Sequence, residues 1–554
     1  MVRIVTMRKA PARRILRPFP DVRLMAACLL LSGAICGCGG GGSGSSGSGD
    51  PGGGTQYPQP PAGSAFLTQS DVMTIVQAAA ATANSSTMAI AVTDRLGNIL
   101  AVWEGASMPA MSTGNFSQAV PTGELAVSLA RTASFFSNDQ APLSSRTVRY
   151  ISGIHFPPGI ENTPNAALYG IENTNRGCPL SSNYLPGQTI PAATTINGSP
   201  DRLGVITGKV DVDDSDANAV NPGGVPIFKS GHLVGGVGIA GVPLDVAEFV
   251  AYSAAGLIGV PAASADGIGF QPLPAPGEVV IDGIGLPFVD NTTAPADLTP
   301  ASGAFDSSRY VSGPITDPIA GPTPEGYLVG PSAGPMGGLS ASQVDGIIMN
   351  AVATANTTRA LIRLPLESRA RMMIAVSDLD GTIIALYRMH DATIFSIDVA
   401  ASKARNVIYF SGPNRTTGDL PGVPMGTAVT NRTIGFGAQP LFPPGINGSS
   451  PGPFFALYTQ DVANPCTQGA DPPGPPGPNA NQSGIVFFPG SEPLYVNGVL
   501  VGGLGVSGDG VDQDDYVTSG GGAAYEAPAN IQADQISIGG VRLPFLHFPR
   551  NPTD

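Results

Sequence analysis

The chain is written twice. LTQSDVMTIVQAAAATA at residues 67–83 returns as LSASQVDGIIMNAVATA at 339–355, and IAVTDRLGNILAVW at 90–103 returns as IAVSDLDGTIIALY at 374–387. Three further pairs keep the same order: AVSLARTASFFS (126–137) with AASKARNVIYFS (400–411), SRTVRYISGIHFPPGI (145–160) with NRTIGFGAQPLFPPGI (431–446), and GVPIFKSGHLVGGVGIAG (224–241) with SEPLYVNGVLVGGLGVSG (491–508). Each copy closes similarly, with IDGIGLPF at 281–288 and IGGVRLPF at 538–545. A duplication of this length requires one folding unit used twice, which suits 554 residues, too many for a single ordinary core.

The pattern inside each copy sets the fold class. Segments 67–83 and 339–355 carry apolar residues at helical spacing behind a hydroxyl N-cap, Thr68 or Ser340, and Ser340 with Gln343 makes a capping box. Segments 90–103 and 374–387 are apolar strands around a Gly-containing turn, hence antiparallel hairpins, and 126–137 and 400–411 are helical again. The Pro pairs in 145–160 and 431–446 predict stiff loops. Helix, hairpin, helix, long loop, hairpin, helix, with no parallel crossover, predicts an α+β fold: an antiparallel sheet flanked by helices. The expected domains are 64–290 and 338–554, joined by a Pro-rich connector at 291–337. Loops of roughly eighty residues, 138–222 and 412–490, are long enough to bind a ligand or partner.

Each copy holds G-x-G-x-x-G, at Gly236, Gly238, Gly241 and at Gly503, Gly505, Gly508. A dinucleotide fold needs that turn between a first parallel strand and its helix. Here the glycines follow two-residue turns, the second being Asn497-Gly498, on the return strand of a hairpin late in the unit. The expectation is close packing against the glycines, not a phosphate cradle.

The N-terminus reads as an export signal over residues 1–37: a basic run, then LMAACLLLSGAIC, too short to span a membrane stably. Ile35 and Gly37 suit the positions before a lipidated Cys38, and residues 38–63, rich in Gly and Ser, suit a tether. A bacterial lipoprotein is expected, held at the cell envelope by its lipid alone, and Gly39 in place of an acid points to the outer membrane. Beyond residue 37 the chain has 20 basic and 40 acidic residues, a net charge of −20 that disfavours nucleic acid as a partner.

Several motifs recur together: V-x-D-x-x-G-x-x-x-A (Val92, Asp94, Gly97, Ala101; Val376, Asp378, Gly381, Ala385), an A-R-containing helix (Ala130-Arg131; Ala404-Arg405), then the Gly-rich strand with Gly505-Val506-Ser507-Gly508 and Gln513-Asp514. In that order they resemble the GlcG/HbpS-like haem-binding family, in two tandem divergent copies. Repeat 2 fits better; repeat 1 has Ala240 for the serine, Ala247 for the aspartate, and Leu129 where repeat 2 has Lys403. The resemblance implies profilin-like domains with about five antiparallel strands, self-association in many members, and haem or iron-linked binding in some.

Haem needs an axial ligand and an apolar slot. The four histidines, His155, His232, His390 and His547, have no histidine counterpart in the other repeat; His155, beside Phe156-Pro157-Pro158, is the candidate ligand, set against an ordinary surface histidine. Cys178 and Cys466 occupy equivalent loops, which suits a disulfide between repeats, two buried thiols, or a thiolate ligand in each unit. Asp211, Asp213, Asp214 and Asp216 form a candidate calcium cluster, set against a solvated loop; Asp509, Asp512, Asp514 and Asp515 form another, set against a helix start. Ser332 in G-x-S-x-G sits in the connector, without the strand-turn-helix a nucleophile needs, and no other catalytic constellation stands out. The expected function is an envelope lipoprotein whose two domains form an internal pseudo-dimer binding a small ligand such as haem. The alternative is an interaction module that contacts an envelope protein and takes no cofactor.

Overall fold

The computed structural model describes residues 65–152, 168–176, 205–208, 220–256, 279–281, 284–315, 321–446, 448–463 and 484–553. In the first repeat α1 (Gln69–Thr82) precedes the hairpin β1 (Ala89–Asp94) and β2 (Ile99–Glu104), then α2 (Thr122–Phe136) and α3 (Ser145–Ser152). The hairpin β3 (Gly224–Lys229) and β4 (His232–Ala240) follows, with α4 (Leu244–Ala254) after it. The connector supplies β5 (Tyr310–Ser312) and β6 (Gly326–Val329). The second repeat has α5 (Ala341–Thr357), β7 (Met373–Ser377), β8 (Ile383–Arg388), α6 (Ser396–Ser411), α7 (Asn431–Gly437) and α8 (Phe455–Ala463), then β9 (Ser491–Val496), β10 (Val499–Ser507) and α9 (Val511–Gly522).

Two five-stranded sheets result, β3-β4-β1-β2-β5 and β6-β8-β7-β10-β9, every neighbour antiparallel. Read from opposite ends, the two orders are the same. This is the α+β architecture expected of the duplicated pattern, with the five antiparallel strands per domain of the profilin-like fold that the family resemblance implies. Residues 291–337 do more than connect, because β5 and β6 complete one sheet each. Both late hairpins turn through two residues of positive φ, Ser230-Gly231 and Asn497-Gly498, the twist that matches strand coiling.

The Pro-pair segments each begin as a helix; Pro443 and Pro444 lie in the expected loop after α7, and Pro157 and Pro158 lie outside the described residues. Thr430 caps α7 in a capping box with Thr433, and Ser144 and Thr147 exchange the same bonds before α3, at 3.1 and 3.2 Å. Those hydroxyls satisfy the first orphaned amides, so a helix starts ahead of the prolines.

Both faces of each sheet are covered. Ile90 and Val92 of β1 meet α1 and α4, while Ala89 and Ala91, pointing the other way, meet α2. In the second sheet Ile374 and Val376 face α5, and Met373 and Ala375 face α6. One core spans both repeats: Phe135, Phe136 and Val148 pack with Met373, Phe395 and Ala400. Phe136 and Phe395 stack with ring centroids 4.1 Å apart, and the equivalent tyrosines Tyr169 and Tyr458 meet at 4.9 Å. Among the described residues no helix is long and apolar enough to cross a membrane.

Candidate functional site

The sheet glycines are packing devices. A Cβ on Gly238 would lie 1.9 Å from the Ala126 carbonyl oxygen, and one on Gly505 would lie 2.2 Å from that of Ala400, so α2 and α6 rest on bare backbone. Gly508 then leads off β10 into the first turn of α9, and a cavity of about 600 Å³ opens at that turn.

Both repeats wall this cavity. Phe136, Ile151, Leu168 and Ile171 come from the first; Ile362, Phe395, Phe488, Ser507, Gln513 and Asp514 come from the second. Buried aromatic and aliphatic groups, with buried Ser507, Gln513 and Asp514, make the inner surface, while His547, Phe548 and Arg550 of the C-terminal segment are exposed and form a mouth, joined by half-buried Arg359. The corresponding place in the first repeat, where β4 runs into α4, keeps a smaller cavity of about 350 Å³ lined by Leu129, Ala240 and Ala247.

Those substitutions separate the repeats chemically. In the second, Lys403 of α6 is buried and donates to Asp514 Oδ2 at 3.0 Å and to the Val506 carbonyl at 2.7 Å, with its ammonium 4.9 Å from the Phe488 ring centroid. Burial pushes the Asp514 carboxyl up to about 7 although Lys403 pulls it down, and burial pushes the Lys403 ammonium down. In the first repeat Leu129 and Ala247 stand in the same places, so the pair is absent there.

The other acids around α9 are paired as well. Arg432 bonds Asp512 at 2.5 Å and also Asp515, Arg363 bonds Asp509, and His547 Nδ1 lies 3.0 Å from Asp512 Oδ2. This cluster begins a helix, and its partners are arginine and lysine; among the described residues no three His, Cys, Asp or Glu side chains meet as a metal site. Ser332 donates to the Ile384 carbonyl at the sheet edge, a structural bond.

Of the other residues singled out from sequence, Cys38, His155, Cys178, Cys466, Asp211, Asp213, Asp214 and Asp216 lie outside the described residues. His232 pairs with Asp139 at 2.6 Å, and His390 is exposed. Among the described residues His547 is the histidine on the cavity. No histidine has a counterpart in the other repeat, and the sequence favours His155 for its Phe156-Pro157-Pro158 neighbours; the signal for His547 is its place just after the closing LPF.

The cavity suits a flat apolar ligand bearing acids. Phe136, Phe395 and Phe488 line it, Arg359 and Arg550 have no carboxylate partner among the described residues, and the His547 ring is held at Nδ1, leaving Nε2 as its metal-binding nitrogen. Haem fits that donor set: an imidazole, an apolar slot and two guanidinium groups for its propionates.

No curated protein matches the chain. Solved structures similar to the chain include Klebsiella pneumoniae protein ORFY, of the family model DUF336, at 18% identity, 32% of this chain, 85% of that one and a TM-score of 0.21, and a PduOC:heme complex at 20% identity, 34% of this chain, 96% of that one and a TM-score of 0.22. Residues 349–521 match the family model described as haem degrading protein HbpS-like, so the second repeat has family-level support for the resemblance its motifs carry.

Proposed function

We propose that this is a ligand-binding protein of the bacterial cell envelope, anchored through a lipid on Cys38, that takes haem into the cavity between its repeats. The observation that carries the binding half is the apolar cavity with one imidazole and two guanidinium groups at its mouth. The HbpS-like family match over the second repeat supports the choice of haem. Haem, when bound, would supply an iron able to take a protein nitrogen: His547 Nε2 would be that nitrogen, with Asp512 orienting the ring through Nδ1, while Arg359 and Arg550 would meet the propionates and the phenylalanines would exclude water. The envelope half rests on the basic and apolar segments before Cys38 and on the Gly/Ser tether after it.

Titrating the full chain with haemin is the test. A Soret shift saturating at one haem per chain, weakened by His547→Ala, is expected; no shift in folded protein refutes haem binding. His155→Ala in parallel tests the other histidine candidate. Loss of palmitate labelling in Cys38→Ala tests the anchor.

We also propose that Cys178 and Cys466 are bridged. Residues a short way before them meet across the repeats, Arg176 with Asp461 at 3.0 Å and Tyr169 with Tyr458. An intact mass two hydrogens lighter before reduction is expected.

A further inference from the structure

The inner end of the cavity is short of donors. Four acids, Asp509, Asp512, Asp514 and Asp515, share three basic side chains: Arg363 on Asp509, Lys403 on Asp514, and Arg432 on both Asp512 and Asp515. Arg363 is itself divided, since it also bonds Asp391 at 2.8 Å.

A second, independent observation sits at the same place. Asp514 Oδ1 and Gln513 Oε1 are buried and have no hydrogen-bond partner among the described residues, and both side chains line the cavity. Each residue is only 3% exposed. A buried carboxyl oxygen left unpaired is costly; an N–H or O–H donor or protonation of the acid relieves it, whereas the Gln513 carbonyl oxygen is relieved by a donor alone. Local negative excess adds a preference for positive charge.

We infer that the inner end of this cavity takes a cationic, N–H-bearing group, an ammonium or amidinium, carried on an apolar body. Its donors meet Asp514 Oδ1 and Gln513 Oε1, and the body lies along Phe395 and Phe488. A carboxylate at the opposite end of the same ligand meets Arg359 and Arg550. The inference rests on the reading that the cavity binds a small molecule but not on haem, whose ring nitrogens bind iron and carry no hydrogen.

Benzamidinium, benzoate and benzyl alcohol, titrated into the full chain by calorimetry, provide the test. Benzamidinium is expected to bind at one per chain, at least tenfold more tightly than either of the others. Asp514→Asn alone strands Lys403, so the main variant is Lys403→Met with Asp514→Leu, which replaces the pair by apolar groups. It is expected to lose benzamidinium affinity at least tenfold. Gln513→Leu, which leaves the pair intact, is expected to lose it severalfold. No benzamidinium binding, or equal binding to the double variant, overturns the inference whatever haemin does. A haemin Soret shift without benzamidinium binding leaves the haem reading standing alone; benzamidinium binding without a Soret shift does the reverse.

Discussion

Single residues decide how close the layers come. At Gly505 an alanine methyl would meet two backbone atoms, the Ala400 oxygen at 2.2 Å and the Ala404 nitrogen at 2.6 Å, and neither can turn aside as a side chain could. Gly505→Ala is therefore expected to lift α6 from the sheet at a cost of at least about 2 kcal/mol, read from urea unfolding; a loss below about 0.5 kcal/mol would refute the packing role. Glu492 makes a separate, pH-dependent prediction. Burial first, then the nearby charges of Glu526 and Asp515, push its carboxyl up to about 8 from 4.5, and its Oε2 has no partner among the described residues. With the folded value above the unfolded one, folding favours the protonated acid. That stability is full below pH 4.5 and gone above about 8, falling by about 1.4 kcal/mol per pH unit between. Glu492→Gln removes the slope, so its stability advantage over wild type should grow from pH 5 to pH 8; a constant difference would show that Glu492 ionises normally.

At the scale of elements, what repeats was legible and what is used once was not. Helix starts at Thr68 and Ser340, both hairpins of each unit and the order of elements followed from residues present in two copies. The connector has no second copy to compare, and Tyr310–Ser312 is too short to show alternation, so β5 reads as linker until its partner β2 is known. The candidate site divided the same way: Lys403 and Asp514 were visible as differences between the repeats, whereas the cavity depends on which loops meet, which spacing along the chain does not encode. Docking of the connector has its own reporter. Trp103, the single tryptophan, donates from Nε1 to the Asp306 carbonyl at 3.1 Å and lies 6.2 Å from the Phe305 ring. Phe305→Ala should expose the indole and red-shift its emission by several nanometres, while an unchanged spectrum would mean the connector does not rest on β2.

The whole molecule is held together by an ionic centre as well as by its shared core. Asp391 of the second repeat bonds Arg95 of the first at 2.6 Å and Arg363 at 2.8 Å, and the Asp139 amide of the first repeat also donates to it. Burial alone would raise the Asp391 carboxyl, but Arg95 and Arg363 outweigh it and hold it below 3.8. Its stabilising charge is therefore present above pH 3.8 and is lost as pH falls through the lowered value. Removing one member of a buried network leaves the others desolvated and unpaired, at about 3–5 kcal/mol. Asp391→Asn should cost that much at neutral pH, because two guanidinium groups lose a shared carboxylate while the stacked Phe136 and Phe395 remain. Since Arg95 and Asp139 belong to one repeat and Arg363 to the other, the loss falls on their junction more than on either sheet. Calorimetry should then resolve the variant's melting into two transitions, the repeats unfolding separately, where the wild type melts in one. A single transition within about 1 kcal/mol of wild type would mean that the apolar core alone couples the repeats.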